Sequence, residues 1–369
     1  MIAPSGNLMR GTVVTSEVFT REGPPVPRPY FESYEAPVRV GSIVRDWLGR
    51  FPDGGETNWV WDATPAADSD VLRVHSHFLL ELVKRLSEAG SGEIGNGVLA
   101  TPATLDLAKQ AAGCCVEGLR IALERRSASP VACVVRPPGH HASPGASEGL
   151  CVFNNVAVAI RAAIASDLAS RFAVLDVDAH YGDGIAHVFY EDPEVLYASI
   201  HEMDFDQGEK GTPAERGRGK GKNYTVNFPV PLFSNDDDYL RAFTKLAPVL
   251  EQFNPDALVV AAGLDGHWAD PIGNLSLTTR GFRAIGLEVE KLVRATSAPV
   301  VYCLEGGYNP LALPACLQAL AFPSSRPDPW PEAAEPSFPP DEERERLLRH
   351  VEREFERAQG RAWKLPARS

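Results

Sequence analysis

The sequence lacks the features of a membrane or secreted protein. None of its apolar runs reaches the roughly eighteen residues that a membrane-spanning helix needs. The first residues, Met1 to Gly6, contain neither the basic nor the apolar block of a signal peptide. The six cysteines show no CxxC pair, so we expect reduced, buried thiols without disulfides. These absences predict a soluble, cytoplasmic protein.

Basic residues are also few. Lys and Arg number 36 against 49 for Asp and Glu, which gives a formal net charge of −13. A surface with this charge repels nucleic acid phosphates and anionic membranes but attracts cationic ligands. We therefore expect neither nucleic acid nor a membrane as a partner, and the charge favours a cationic substrate.

The chain alternates strand-like with helix-like segments. Seven short runs rich in β-branched residues predict strands, several of them apolar on both faces, as buried parallel strands are. These runs are Thr12 to Thr15, Val131 to Val135, Phe172 to Val177, Val195 to Ile200, Tyr224 to Phe228, Ala257 to Ala262 and Pro299 to Leu304. The helix candidates are Asp68 to Ser87, Thr101 to Arg126, Asn154 to Ala169, Asp236 to Gln252 and Thr279 to Thr296. Such alternation predicts an α/β fold with three αβα layers and a mainly parallel, doubly wound central sheet.

We expect a single domain over residues 1–369. The length and an apolar content of 44% are sufficient for one large core. Residues 323–340 are rich in proline, which predicts an extended wrap. Residues 341–369 predict a charged helix, Asp341 to Ala358, and a loose tail. One stripe of that helix is apolar, and we expect it to dock on the main domain. The stripe consists of Leu347, Leu348, Val351 and Phe355.

The segment Val174 to Gly184, with the sequence VLDVDAHYGDG, is poorly explained by packing. Asp178 and His180 stand two residues apart in it, directly after a strand-like stretch. On an extended chain this spacing points both side chains to the same side. A carboxylate and an imidazole suit a divalent transition metal such as zinc, but a site needs at least one further ligand.

Four further segments follow predicted strands and carry polar groups that a core would not tolerate. They are Arg136 to Ala142, Gly149 to Asn155, Gly263 to Pro271 and Leu304 to Pro310. Groups just beyond the carboxyl ends of parallel strands converge on one crevice, so we expect these loops to meet. Asp265 is then the natural third ligand. Two carboxylates and one imidazole leave a position open for water or a substrate carbonyl.

The side chains near this ligand set suggest acid–base chemistry. Two carboxylates nominally cancel the charge of a dication, so activation of water should require a protein base. His140 and His141 are adjacent and can both face that water. Asp176 and Asp183 can accept the Nδ1 protons of the two histidines. Tyr308 can donate its hydroxyl to the oxyanion that forms when water attacks a carbonyl.

These motifs resemble those of the histone deacetylase and acetylpolyamine amidohydrolase superfamily, especially its bacterial, class II-like amidohydrolases. The resemblance implies that zinc, or iron, is bound by Asp178, His180 and Asp265. It implies that His141 is the general base and acid, with His140 as an electrostatic partner. It also implies that Asp176 and Asp183 orient the histidines and that Tyr308 polarises the scissile carbonyl. The motifs occur in family order from about Ala67 to Pro331.

The same resemblance implies a structural monovalent cation, K⁺ or Na⁺, near the metal. Its ligands would be Asp176, Asp178, His180, Ser199 and the carbonyl of Ile200. The segment Ser199-Ile-His201 is present as such a site requires.

Departures from the family pattern concern the substrate. A Gly-Leu-Cys triplet begins at Gly149 where deacetylases usually have Gly-Phe-Cys, so Leu150 replaces one aromatic wall of the acyl-lysine tunnel. Asp206 aligns with the second tunnel Phe, and a carboxylate at the mouth would favour an ammonium or amidinium group. Alternatively, Asp206 points to water and either Phe205 or Met203 takes the tunnel position.

Three other residues are candidates for substrate contacts. Glu93 could match an acidic loop residue that binds the substrate backbone or amine in relatives, although a solvated loop carboxylate is the favoured interpretation. Trp268 and Gly306 lie in the segments that follow the last two strands. We expect both residues to contact the substrate.

The sequence thus predicts a zinc-dependent amidohydrolase that cleaves a linear acyl-amide. We expect the amine to be small and cationic or acetylpolyamine-like, with an acetyl-lysine protein deacetylase as the alternative. A second copy of the chain is a candidate partner, because assembly into a homo-oligomer would narrow the entrance to the active site and favour small substrates.

Two other classes of protein fit the motifs less well. A binuclear ureohydrolase shares the fold and the Asp-Ala-His start of the motif, but Gly182 and His267 stand where two of its metal ligands should be. An inactive acyl-amide binding protein would have lost the metal ligands, the histidine pair or Tyr308, and all of these are present.

Overall fold

The computed structural model describes residues 10–21, 31–50, 57–127, 129–203, 210–325 and 335–365. Its strands, in chain order, are β1 (Gly11–Thr15), β2 (Thr57–Trp61), β3 (Gly92–Gly95), β4 (Val98–Ala100), β5 (Val131–Cys133), β6 (Phe172–Asp176), β7 (Val195–Glu202), β8 (Thr225–Val230), β9 (Ala257–Ala262) and β10 (Val300–Leu304). Within the described residues, eight strands form one sheet in the order β2-β1-β5-β10-β9-β6-β7-β8. All neighbouring pairs in this sheet are parallel. The predicted fold class is confirmed.

The helices that flank the sheet are α1 (Val38–Arg50), α2 (Asp68–Val71), α3 (His77–Ala89), α4 (Thr104–Arg125), α5 (Asn155–Ala165), α6 (Asp183–Phe189), α7 (Asp236–Phe253), α8 (Thr279–Thr296), α9 (Leu313–Ala321) and α10 (Glu342–Gln359). The prediction of one helix over Asp68 to Ser87 is wrong, because the helix is interrupted between Val71 and His77. The Ser76 hydroxyl accepts the N–H of Leu79, which starts α3 with a serine N-cap. The backbone N–H of Ser76 donates instead to the carbonyl of Pro144.

Three elements close to the candidate site were not predicted. They are helix α1, helix α6 and the antiparallel hairpin of β3 and β4. The hairpin contacts the loop after β5 through a hydrogen bond from the N–H of Gly149 to the carbonyl of Asn96. Helix α1 packs against α9 and brings Arg39, a fully buried residue, toward the loop after β10.

The carboxyl ends of five adjacent strands, β5, β10, β9, β6 and β7, lie side by side in the sheet. The register pairs Asp176 at the end of β6 with Ala261 in β9 and with Ser199 in β7. Leu304 at the end of β10 pairs with Ala262. The loops that follow these strands therefore start at the same edge of the sheet, where an open parallel sheet binds ligands.

The C-terminal helix α10 packs against strand β8. Leu348, Val351 and Phe355 are buried, and the Phe355 ring lies 5.2 Å from that of Phe228. Leu347, the fourth residue of the expected stripe, is only partly buried. Residues 326–334 of the proline-rich wrap and residues 366–369 of the tail lie outside the described residues.

The six cysteines are free and buried, as predicted from their spacing and surroundings. Among the described residues, no helix is long and apolar enough to cross a membrane.

Candidate active site

Three predicted ligands, Asp178, His180 and Asp265, converge at the edge of the sheet. One ligand atom from each lies within 4.8 Å of the other two. Nδ1 of His180 is 3.2 Å from Oδ1 of Asp178 and 3.1 Å from Oδ2 of Asp265. Both carboxylates are buried, whereas the His180 side chain is 21% exposed, so the group is open on the imidazole side.

Backbone N–H groups hold the two carboxylates in place. Oδ2 of Asp178 accepts the N–H of Gly306 at 2.9 Å, and Oδ1 of Asp265 accepts the N–H of Ala179 at 2.9 Å. A Cβ atom on Gly306 would lie 2.4 Å from Asp265 Oδ2 and 2.5 Å from Asp178 Oδ2. Only glycine allows this approach, which explains the position of Gly306 beside the ligands.

The charge of this group fits a divalent cation. Burial raises the pKa of Asp265, and repulsion from Asp178 raises it further. Burial alone would lower the pKa of His180, but hydrogen bonds to the two carboxylates raise it well above its usual value. Two buried carboxylates and an imidazole nitrogen that together attract positive charge are a suitable donor set for zinc or iron.

The histidine pair lies beside the ligand set, with the two rings 4.0 Å apart. Nδ1 of His140 is 3.3 Å from Oδ2 of Asp176, and its Nε2 is 3.7 Å from Oδ1 of Asp178. Burial opposes protonation of His140, but the charges of Asp178 and Asp176 raise its pKa to about 10. Oδ2 of Asp176 also accepts the hydroxyl of Tyr197 at 2.9 Å, which fixes this carboxylate.

His141 is paired with the second expected carboxylate. Its Nδ1 is 3.0 Å from Oδ1 of Asp183, the first residue of α6. Burial lowers the pKa of His141, and the positive charge of His140 lowers it further. The ring is therefore neutral at pH 7, as a general base must be. Lys210, which the sequence did not suggest, lies 3.1 Å from Oδ2 of Asp183.

Glu305 binds the backbone of the loop that carries His140 and His141. It was not identified from the sequence. Its Oε2 accepts the N–H groups of Gly139 at 2.6 Å and His140 at 3.0 Å. Its Oε1 is buried and has no hydrogen-bond partner among the described residues. Burial raises the pKa of Glu305 to about 8. Its position directly after β10 and before Gly-Gly-Tyr was the signal that could have revealed it.

Tyr308 is 8% exposed and follows strand β10 in the Gly-Gly-Tyr turn. Its N–H donates to Oδ2 of Asp270 at 2.7 Å. The Arg39 guanidinium lies 4.6 Å from the centre of the Tyr308 ring and donates to the carbonyl of Gly307 at 2.7 Å. A second Arg39 nitrogen donates to the carbonyl of Glu305. Arg39 thus holds the Gly-Gly-Tyr turn from helix α1.

A buried ion-pair network continues behind this turn. Glu35 accepts two hydrogen bonds from Arg136, at 2.8 and 2.7 Å, and lies 3.4 Å from Arg39. Arg136 begins the Pro-Pro-Gly-His-His loop. The network therefore connects the turn that carries Tyr308 with the loop that carries the histidines.

The expected substrate-binding residues differ in their surroundings. A Cβ atom on Gly149 would lie 2.5 Å from the His141 ring, so Gly149 packs directly on the predicted base. Leu150 is buried and lines a cleft together with Val98, Leu107 and Arg136. Trp268 is 42% exposed. Glu93 is exposed on β3, and Asp206, with its neighbour Phe205, lies outside the described residues.

Two of the residues expected around a monovalent cation are neighbours in the sheet. Ser199 pairs with Asp176 in the parallel register. The hydroxyl of Ser199 is 2.8 Å from Nδ1 of His201, and the carbonyl of Ile200 accepts the hydroxyl of Tyr239 at 3.1 Å. Tyr239, from α7, is a neighbour that the sequence did not suggest.

The two positions that distinguish a binuclear site offer no ligand. Gly182 has no side chain, and a Cβ atom there would lie 2.2 Å from Oδ2 of Asp176. Nε2 of His267 is 3.1 Å from Oε1 of Glu335, and its Nδ1 accepts the N–H of Ala269. His267 therefore anchors Glu335, which lies in the proline-rich segment.

Comparisons with known proteins agree with this geometry. A family model for the histone deacetylase domain matches residues 33–321. The histone deacetylase-like amidohydrolase of Pseudomonas aeruginosa is 35% identical over 257 residues, which are 69% of this chain and 67% of the relative. The probable deacetylase of Archaeoglobus fulgidus is 35% identical over 252 residues, 66% of this chain and 67% of the relative.

A plant relative and a solved structure extend the comparison. Histone deacetylase 8 of Arabidopsis thaliana is 34% identical over 280 residues, 74% of each chain. The crystal structure of the HDA15 HD domain superposes with a TM-score of 0.80 and covers 96% of both chains at 24% identity. At that identity the likeness shows the fold.

Proposed function

Since the chain belongs to the histone deacetylase family of amide hydrolases, we propose that it is a zinc-dependent enzyme that removes the acyl group from a small cationic amine. The observation that carries this proposal is the convergence of Asp178, His180 and Asp265 beside two histidines, each bonded to a carboxylate. Asp178, His180 and Asp265 would hold the zinc ion, with iron as the second candidate. When bound, the metal acts as a Lewis acid that polarises a carbonyl and acidifies water.

His141 acts as the general base. Its Nδ1 is occupied by Asp183, so Nε2 takes the proton from the attacking water and later delivers it to the leaving amine. The lowered pKa of His141 keeps the ring neutral and ready to accept this proton. His140 stays close to Asp176 and Asp178 and supplies positive charge beside the reacting carbonyl.

Tyr308 stabilises the oxyanion. As water adds to the carbonyl carbon, negative charge develops on the carbonyl oxygen, and a phenolic hydroxyl can donate a hydrogen bond to it. Burial raises the pKa of Tyr308 well above its usual value, so the hydroxyl keeps its proton. Arg39 and Asp270 hold the backbone and ring of Tyr308 for this purpose.

A structural monovalent cation, K⁺ or Na⁺, is part of the proposal. Asp176, Asp178, His180, Ser199 and the carbonyl of Ile200 would surround it. The pairing of Ser199 with Asp176 in the sheet supports this arrangement.

The preference for a small cationic amine rests on charge. The chain carries a formal net charge of −13, and Asp206 and Leu150 replace the aromatic pair expected of an acyl-lysine tunnel. A carboxylate near the mouth would bind an ammonium group by a charge-assisted hydrogen bond. An acetyl-lysine protein is the alternative substrate, because a plant relative bears the name histone deacetylase.

A substrate screen tests the proposal. The purified enzyme would be assayed with acetylated polyamines, other short acylated amines and acetyl-lysine peptides, each with and without a zinc-chelating hydroxamate. We expect hydroxamate-sensitive turnover, with the highest kcat/KM for a small cationic amide. Turnover of peptides alone would replace the small-amine proposal with the alternative. Absence of any hydroxamate-sensitive amide hydrolysis would overturn the function itself.

Asp206→Phe tests the substrate preference directly. We expect kcat/KM to shift from small cationic amides toward acetyl-lysine peptides, because a carboxylate is replaced by an aromatic wall. Asp237→Phe, on the exposed first turn of α7, is the matched control for loss of charge elsewhere. An unchanged ratio of kcat/KM for the two substrate types would refute the role of Asp206.

A further inference from the structure

Three cysteine thiols meet in the core between helix α4 and strands β5 and β10. The sulfur atoms of Cys115, Cys133 and Cys303 all lie within 4.8 Å of one another. Cys133 and Cys303 face each other in the register of two adjacent parallel strands. Gly118 allows α4 to approach this point, since a Cβ atom there would lie 2.3 Å from the Cys133 sulfur. None of these residues takes part in the proposed amide hydrolysis.

The three thiols form one buried unit. Cys115 is fully buried, and Cys133 and Cys303 are each 1% exposed. Hydrogen bonds from Cys115 and Cys133 lower the pKa of the Cys303 thiol to about 5. The Cys133 sulfur also lies 3.5 Å from the carbonyl oxygen of Cys114, a neutral group. The sulfur atoms thus contact one another and neutral groups.

The spacing of the sulfur atoms suits a single three-coordinate ion. A point central to three atoms no more than 4.8 Å apart lies about 2.8 Å or less from each of them. A metal–thiolate bond is typically ~2.3 Å long. Side-chain rotations that move each sulfur atom by a few tenths of an ångström would therefore bring all three within bonding distance of one ion. Thiolate ligands select soft ions.

Charge decides which soft ion fits. A monovalent ion held by three thiolates would leave two uncompensated negative charges at full burial, and Zn²⁺ would leave one and lack a fourth ligand. A trivalent ion with three thiolates is neutral and needs no counter-ion. We propose that Cys115, Cys133 and Cys303 form a binding site for one thiophilic trivalent ion of the arsenic(III) or antimony(III) class.

Binding is a ligand exchange without oxidation or reduction. Arsenous acid, As(OH)₃, loses its three hydroxyl groups while three As–S bonds form. Each thiol proton leaves with one hydroxyl group as water, and arsenic stays in the +3 state. The site is sealed, so the ion enters only when the core opens locally. The binding rate should therefore become independent of arsenite concentration when arsenite is abundant.

The experiment is a titration of the zinc-loaded enzyme with sodium arsenite, with a phosphine as the reductant. We expect one arsenic per chain, a coordination shell of three sulfur atoms by X-ray absorption, and unchanged zinc content. Cys303→Ala leaves only two sulfur ligands and should weaken binding roughly a hundredfold or more, because the third bond forms at a high effective concentration. Cys316→Ala removes an equally buried thiol of α9 and should leave arsenite affinity unchanged.

Several outcomes would overturn the proposal. They are no arsenite binding by the folded enzyme, a shell of fewer than three sulfur atoms, and equal affinities of Cys303→Ala and the unmodified chain. If Cys303→Ala fails to fold, the sulfur count of the unmodified chain and the Cys316→Ala control still decide the question. Amide hydrolysis is measured in parallel and tests the proposed function separately.

Discussion

Lys210 and His141 are bonded to the two oxygens of one carboxylate. Nζ of Lys210 lies 3.1 Å from Oδ2 of Asp183, and Nδ1 of His141 lies 3.0 Å from Oδ1. Hydrogen bonds from His141 and the ammonium group of Lys210 outweigh burial and lower the pKa of Asp183 to about 2. Lys210 thus reduces the negative field that Asp183 exerts on His141.

Replacement of Lys210 by methionine should raise the pKa of His141. The groups that act on this ring are Asp183, which raises its pKa, and His140 and His180, which lower it. Without Lys210 the full charge of Asp183 favours the protonated ring. We expect the acid limb of the kcat/KM profile, which reports the base of the free enzyme, to move to higher pH by about half a unit.

Lys210→Arg and Lys220→Met are the controls for this shift. Arginine keeps a cation within reach of Asp183. Lys220 lies in an exposed turn that packs on the residues after the last turn of α6, whereas Asp183 begins the first turn. Both variants should keep the acid limb of the unmodified enzyme. An acid limb in Lys210→Met that is unmoved, or that moves to lower pH, would contradict the role of Lys210.

Tyr308→Phe removes only the hydroxyl that should bind the oxyanion. We expect kcat to fall by about a hundred- to thousandfold, equivalent to roughly 2.7 to 4 kcal/mol, while zinc content stays the same. Tyr302→Phe removes a buried hydroxyl from strand β10 and should keep normal kcat. Near-normal turnover by Tyr308→Phe in a steady-state assay would exclude the oxyanion role.

Asp265→Ala tests the ligand set without reference to activity. Loss of one of two carboxylates should weaken zinc binding roughly a hundredfold or more, since even outer-shell partners account for ten- to hundredfold. Asp270→Asn is the matched control, because this partly buried carboxylate of the same loop binds the N–H of Tyr308 and no metal ligand. Elemental analysis after dialysis measures both. One equivalent of zinc in Asp265→Ala would show that the ligand assignment is wrong.

Much of the fold could be predicted from the sequence because its central strands are short, apolar and buried on both faces. Strand β9 and helix α8 begin and end where the pattern placed them. Strand β2 was missed because it is an edge strand in which four of five residues are exposed or partly buried, so its sequence, TNWVW, lacks a continuous apolar pattern. Helix α1 was missed although Arg39 makes it important for Tyr308.

The candidate site likewise contains residues that the sequence revealed and residues that it did not. Polar residues directly after a strand stand out from the sequence, which is why Asp178, His180 and Asp265 could be chosen. Glu305 and Arg39 act through backbone groups of other loops. Glu305 binds N–H groups in a loop 166 residues away, and a contact of this length has no sequence period that would reveal it.

His75 should make the stability of the protein depend on pH. Its Nδ1 donates to the carbonyl of Ser143 and its Nε2 accepts the N–H of Asn154, both at 2.9 Å, so the folded state requires the neutral ring. Burial lowers the pKa of His75 to about 4 from its usual 6.5. Below pH 6.5 the unfolded chain binds a proton that the folded chain does not.

The neutral His75 ring contributes roughly 3 kcal/mol to the free energy of unfolding. This stabilisation is present in full above pH 6.5 and is lost as the pH falls to about 4. His75→Gln keeps one donor and one acceptor but cannot titrate. Urea unfolding at several pH values should therefore give a shallower fall in the free energy of unfolding for His75→Gln between pH 6.5 and 4. Burial lowers the pKa of His201 to about 3, so part of the slope remains in both proteins. Parallel curves for the two proteins across this window would show that His75 is not the group that titrates.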